Sequence, residues 1–199
     1  WRSITELVSQ GYIEGQQLDI PCVKKEWILN QHEGIIVLLG LHSDVGQLLC
    51  SSNPQKAEPL FQEWHEKFGN RVYFALTRTN RPNEEDFINE AIKLAAKYQV
   101  GVVAHNDVHF ITEEDFEAHE ARVCIADGYV LADDRRPRFY STEQYFKTAE
   151  QMIELFADIP SAIENTVQIA KRCNVSLRLG KYFLPDYPIP YGFTIDSYF

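Results

Sequence analysis

Three short apolar runs set the limits on what this chain can fold into: Ile35-Ile36-Val37-Leu38-Leu39, Val72-Tyr73-Phe74-Ala75-Leu76 and Val102-Val103-Ala104. Each is continuous rather than alternating, the pattern of a strand buried on both faces in a parallel sheet. Helical periodicity fills the spaces between them. One helix opens at Pro54 and turns Leu60, Phe61, Trp64 and Phe68 inward before Gly69-Asn70. Another follows Asn83 with a stripe of Phe87, Ile88, Ala91, Ile92, Leu94, Ala95 and Tyr98, while Glu84, Glu85, Glu90, Lys93 and Lys97 are expected to face water. Its acids precede its lysines, which complements the helix dipole. Upstream, a helix over Arg2 to Ile13 stops at Gly15, a loop follows, and Val23, Trp27 and Ile28 mark a short helix broken at Gly34. Asp44 is expected to cap the helix after the first apolar run. The alternation predicts an α/β fold of βα units around a parallel sheet, and a barrel and an open sheet both fit it. Beyond Thr112 the pattern turns helical, over about residues 113–126, 148–157 and 161–173, with Ile163 and Val167 placed on a buried face of the last. Residues 181–192, rich in Tyr and Pro, read as an ordered linker.

Charge and cysteines narrow the function. The formal net charge is −10, with a pI near 5.1. Phosphate neutralisation supplies most of the affinity of a nucleic-acid binder, so a main DNA grip is not expected in this stretch. The one basic cluster, Asp133-Asp134-Arg135-Arg136-Pro137-Arg138, reads first as a solvated loop and second as a phosphate contact. The four cysteines, Cys22, Cys50, Cys124 and Cys173, lie at long irregular spacings. Cys124 and Cys173 are expected on apolar helix faces as buried free thiols, which implies a reducing compartment. No apolar run approaches the roughly 20 residues a membrane helix needs. The ends, Trp1-Arg2-Ser3-Ile4 and Thr194 to Phe199, read as the edges of a piece of a longer intracellular chain.

The densest cluster of chemistry is Val102-Val103-Ala104-His105-Asn106-Asp107-Val108-His109-Phe110, where a buried strand ends in polar residues. Ligands and catalytic groups gather at that end of parallel strands. Asp107 and His109 stand two apart, so in an extended segment both side chains face one side. A carboxylate and an imidazole together suit a divalent metal, which would polarise a phosphoryl oxygen. Two ligands do not make a site, and the plainer reading is an Asp cap with a His bonded to it. Arg78 and Arg81 follow the second strand at the same end, as phosphate contacts or as partners of acids such as Glu84. His105 reads as structural; His32 and His65 read as surface residues.

The run from Val102 to Ile111, the segments Asp115-Phe116-Glu117-Ala118-His119-Glu120 and Ile125-Ala126-Asp127-Gly128, and the blocks Glu154 to Thr166, Ile169 to Val175 and Tyr182-Phe183-Leu184-Pro185 resemble one family. It is the polymerase-and-histidinol-phosphatase (PHP) domain of bacterial DNA polymerase III alpha subunits. The resemblance implies an irregular seven-stranded βα barrel over residues 1–180, lacking its first strands. Residues 181–199 would then link to the polymerase palm, whose templated synthesis uses Mg. Active members hold zinc, manganese or iron and hydrolyse phosphoesters, here as a 3′-to-5′ exonuclease, with Asp107 and His109 in the position of two ligands. His119 matches a recurring position and would brace the barrel mouth or support a metal ligand. The family's Cys ligand is missing from Gly40-Leu41-His42-Ser43, where His42 is the one possible substitute, and an HxH pair of ligands would lie before Trp1. Residues 127–140 resemble alpha subunits that work with a separate proofreading exonuclease. The implied role is therefore a scaffold docking that exonuclease, with metal-dependent cleavage and a free-standing phosphatase as the alternatives. The implied partners are DNA, through the rest of the parent, and other replisome subunits, in the cytoplasm and without a membrane.

Overall fold

The computed structural model describes residues 1–176, 178–182 and 187–198. Residues 183–186, within the last block of the resemblance and the expected linker, lie outside the described residues.

In chain order the elements are α1 (Arg2–Glu14), β1 (Gln16–Gln17), β2 (Ile20–Pro21), α2 (Lys25–Asn30), β3 (Val37–Leu39), α3 (Asp44–Leu49) and α4 (Ala57–Phe68). There follow β4 (Val72–Leu76), α5 (Glu84–Tyr98), β5 (Gly101–Ala104), α6 (Phe116–Asp127), α7 (Ala149–Leu155), α8 (Pro160–Arg172) and α9 (Ile195–Tyr198). β3, β4 and β5 form a parallel sheet in that order, with Leu39 beside Phe74 and Leu76 beside Ala104. Parallel pairing brings all three C-terminal ends to one side, which is what assembles the site. The predicted α/β alternation is therefore present, but the described residues make a three-stranded sheet and no closed barrel. A small antiparallel hairpin of β1 and β2 occupies the expected loop after Gly15, its turn made by Leu18 and Asp19 at positive φ.

β4 is the central strand and is buried along its whole length. Val72, Phe74 and Leu76 join Val102, Ala104, Phe61, Phe87 and Ile88 in the main core beneath α4 and α5. Tyr73, Ala75 and Val103 face the other way, against Ile36 and Ile169. Aromatic rings supply much of the filling: Phe61 stacks on Phe74 at 5.1 Å, and Phe74 meets Phe87 edge-on.

Several expectations need correction. Leu38 is 44% exposed. Among the described residues β3 pairs on one side only, and one of its faces opens on a cleft of about 680 Å³ between Trp1, Ile4, Ile169 and Val175. Ser43, not Asp44, is the cap of α3: its hydroxyl accepts from Gly46 N, and Asp44 instead accepts from Val45 N and Trp64 Nε1. Glu84 is buried, because it folds back onto the loop before its own helix. Val167 is 51% exposed and Ala162 is the buried residue of α8, since that helix lies along β5 with a narrow contact face. Cys173 sits at the exposed end of α8, whereas Cys124 is buried as expected; all four thiols are free. His32 and His65 are half-buried, His32 edge-on to Phe68 and His65 stacked on Phe61. In the basic cluster Arg136 is buried against Glu120, while Arg135 pairs with Asp133 on the surface. Among the described residues no helix is long and apolar enough to cross a membrane.

Candidate functional site

The site lies where β4 and β5 run out. Asp107 occupies a left-handed backbone conformation (φ 50°), so the loop turns there rather than continuing extended. The next residues are held by a short parallel pairing: His109 N–H donates to Gln144 O at 2.9 Å, Phe110 bridges Tyr145, and Phe146 N–H donates to Ile111 O. Asn106 Nδ2 adds a bond to Tyr145 O at 2.7 Å. The turn still leaves Asp107 and His109 together, with His109 Nε2 3.5 Å from Asp107 Oδ1.

The other Asp107 oxygen is fully engaged. Oδ2 receives Arg81 Nη2 at 2.6 Å and Gln144 Nε2 at 2.9 Å. Gln144 is completely buried and is itself fixed by Ser141 N–H, while the Ser141 hydroxyl donates to Thr79 O. Arg81 is held from behind by Thr79 Oγ1 at 3.0 Å and Glu84 Oε1 at 3.4 Å. Glu84 accepts Thr79 N–H at 2.6 Å and the Thr79 hydroxyl at 2.5 Å. Sequence reasoning missed Gln144, which sits in an irregular segment with no periodic signal. Glu84 carried one, an acid in the first turn of a helix, where it can reach back to preceding N–H groups.

His119, on α6, is buried and packs against His109, Phe110 and Tyr140, with ring centroids 5.5, 5.4 and 4.5 Å away. Its Nδ1 lies 3.2 Å from Arg122 Nη2. A guanidinium can only donate, so Nδ1 accepts and the neutral ring carries its proton on Nε2. That Nε2 is buried without a partner among the described residues. Burial first, then the Arg122 charge and His109, hold the His119 pKa below the ordinary imidazole value.

The remaining candidates fall elsewhere. Arg78 turns away to Asp158 at 2.6 Å, Glu85 at 2.8 Å and the Leu155 carbonyl at 2.7 Å, so it serves as a clamp on the end of α7. His42 is exposed and lines a cleft of about 670 Å³ with Arg81, Arg138 and Tyr140, without Asp107 or His109. His105 is exposed.

Two donors do not hold a catalytic metal, and among the described residues no group of three or more His, Cys, Asp or Glu is placed to do so. Asp107 carries a guanidinium on one oxygen, and His119 presents an N–H where a ligand needs a lone pair. These residues by themselves do not fit a resident zinc, manganese or iron ion.

Residues 1–79 match the family model described as PHP domain. By that match the chain is similar to PHP-domain sequences over its first 79 residues, which end before Asp107 and His109. Over its whole length it is similar to the DNA polymerase III subunit alpha of Pseudomonas fluorescens, with 50% identity over 200 residues covering 100% of this chain and 17% of that protein. The Pseudomonas aeruginosa subunit is 48% identical over 199 residues, again 100% of this chain and 17% of its own length. The Escherichia coli K12 subunit is 45% identical over 189 residues, 94% of this chain and 16% of its own length. The chain thus spans about one sixth of the length of the curated relatives it matches.

Proposed function

We propose that this chain is a segment of a bacterial DNA polymerase III alpha subunit and that its PHP fold acts as a scaffold docking the proofreading exonuclease. Residues 1–180 belong to an irregular seven-stranded βα barrel whose other strands lie outside this sequence, and 181–199 lead toward the palm. The parent carries out DNA-directed DNA synthesis in the cytoplasm, with magnesium and with DNA gripped outside this acidic stretch, among other replisome subunits. Support for the polymerase assignment is similarity to alpha subunits along the entire chain, which also weighs against a free-standing phosphatase. Support for the scaffold is that Arg81 and Gln144 both occupy one Asp107 oxygen, Oδ2.

One observation favours a second reading, a metal-dependent 3′-to-5′ exonuclease: Asp107 and His109 stand 3.5 Å apart at the strand end. Upstream ligands would have to complete that site. The two readings separate in the full-length protein. Bound zinc, manganese and iron are quantified, removal of a mismatched 3′ nucleotide is assayed, and co-purification of the exonuclease subunit is scored, each beside Asp107→Asn. The scaffold predicts exonuclease docking and no cleavage dependent on Asp107. Stoichiometric metal with cleavage abolished by Asp107→Asn would replace it with the nuclease.

A further inference from the structure

Arg81 stands between two carboxylates on different elements. On one side its Nη2 lies 2.6 Å from Asp107, on the loop after β5. On the other its Nε lies 3.4 Å from Glu84, at the start of α5, and 3.0 Å from Thr79 Oγ1. The Arg81 side chain is 17% exposed and Glu84 4%, so the contact with Glu84 is shielded from water. Glu84 also takes the backbone N–H groups of Thr79 and Arg81, which fixes the loop carrying the guanidinium. The result is an acid–base–acid bridge joining the ends of β4 and β5, the mechanical task that a divalent ion shared by several loops would perform. An incoming cation at Asp107 would meet a positive charge already seated there, and displacing it would strip a half-buried guanidinium of the nearer of its two carboxylate partners. The neighbouring His119, with its proton on Nε2, offers a donor and no lone pair.

We propose that Arg81 is a built-in counter-cation, which bars a divalent ion from the Asp107–His109 pair and locks the loops after β4 and β5 together in its place. The inference deepens the scaffold reading and identifies the side chain that sets cation selectivity at this site.

The test uses the full-length protein as wild type and as R81M, R81K, D107N and R81M/D107N. Calorimetric titration with manganese or zinc and thermal melting are the readouts. Wild type and R81K should bind no cation through Asp107. R81M should melt lower, gain one saturable cation site and recover its melting temperature when the cation is added. R81M/D107N should lose that site, and D107N alone should melt lower with no response to cation. The lock is overturned if folded R81M binds no more cation than wild type, if D107N melts like wild type, or if wild type binds cation in a manner abolished by D107N. Should R81M fail to fold without cation, folding restored by manganese supports the lock and folding not restored by it opposes the lock. Exonuclease docking is scored separately, so a protein that shows the R81M pattern but docks nothing loses the scaffold and keeps the lock.

Discussion

Asn165 on α8 donates its side-chain N–H to the backbone carbonyl of Val102 at 2.8 Å, so a helix takes up a carbonyl on the free side of β5. An edge strand with unpaired backbone groups invites pairing with another chain, and covering it with a helix removes the invitation. The approach is close: a Cβ on Gly101 would stand 2.6 Å from the Tyr73 ring and 3.1 Å from Asn165 Nδ2. Asn165→Leu should destabilise the chain by about 1–3 kcal/mol by leaving a carbonyl unsatisfied. Gly101→Ala should cost a similar amount, about 1–3 kcal/mol, by overpacking. The double variant should cost less than the sum, because both act on one contact. Denaturant melts of the four proteins measure this, and strict additivity would count against the shared contact.

Ala162 and Val167 lie one and a half turns apart on α8 with opposite fates. Ala162 is fully buried and Val167 is half-exposed. Ala162→Asp should lose about 3–5 kcal/mol, because it buries an unpaired charge. Val167→Asp should stay within about 0.5 kcal/mol of wild type. Circular dichroism and chemical denaturation of both would show the contrast, and equal damage would displace the helix from its assigned face.

The depressed pKa of His119 has a pH signature. The unfolded imidazole takes up a proton near its ordinary value of about 6.5, while the folded one does so only at lower pH. The unfolded state therefore binds more protons in that window, and stability falls as pH drops below about 6.5 until the folded ring is protonated too. His119→Gln should flatten this part of the stability profile. An unchanged slope between neutral and mildly acidic pH would show that another group carries it.

Arg78 joins the end of β4 to the turn between α7 and α8. It contacts Asp158, Glu85 and Leu155 O, and its guanidinium lies over Phe156 at 5.1 Å. The Arg78 hydrogen bond holds the Asp158 carboxyl below its usual range. Both carboxylates are more than half exposed, so most of the effect should come from the Leu155 carbonyl and the packing on Phe156. Arg78→Met should cost about 1–3 kcal/mol, and Arg78→Lys should not restore it, since one ammonium cannot span the same set of acceptors. Melting curves of the two variants would decide, and full recovery with Lys would reduce the clamp to a simple charge.

The βα alternation was legible because buried parallel strands must be apolar throughout and their covering helices amphipathic. Val72 to Leu76 and the stripe from Phe87 to Ala95 lie where their periodicity puts them. Asp107 and His109 could be singled out for the same reason, since polar residues directly after a buried strand have few roles. What covers each edge is not written in local pattern. A strand buried by neighbours and one left at an edge have the same residues, so Leu38 gave no sign of its exposure.

The sequence by itself determined the order of the three parallel strands and the helices between them, the end of the sheet where polar groups collect, and the resemblance to PHP domains. Only the tertiary structure decided which charges meet there. Arg81, Glu84, Asp107 and Gln144 are up to 63 positions apart, as are Asn165 and Val102. Hydrophobic periodicity records which face of an element is buried, whereas an ion pair depends on the angle at which two loops leave neighbouring strands. That angle is set by packing distributed over the whole core.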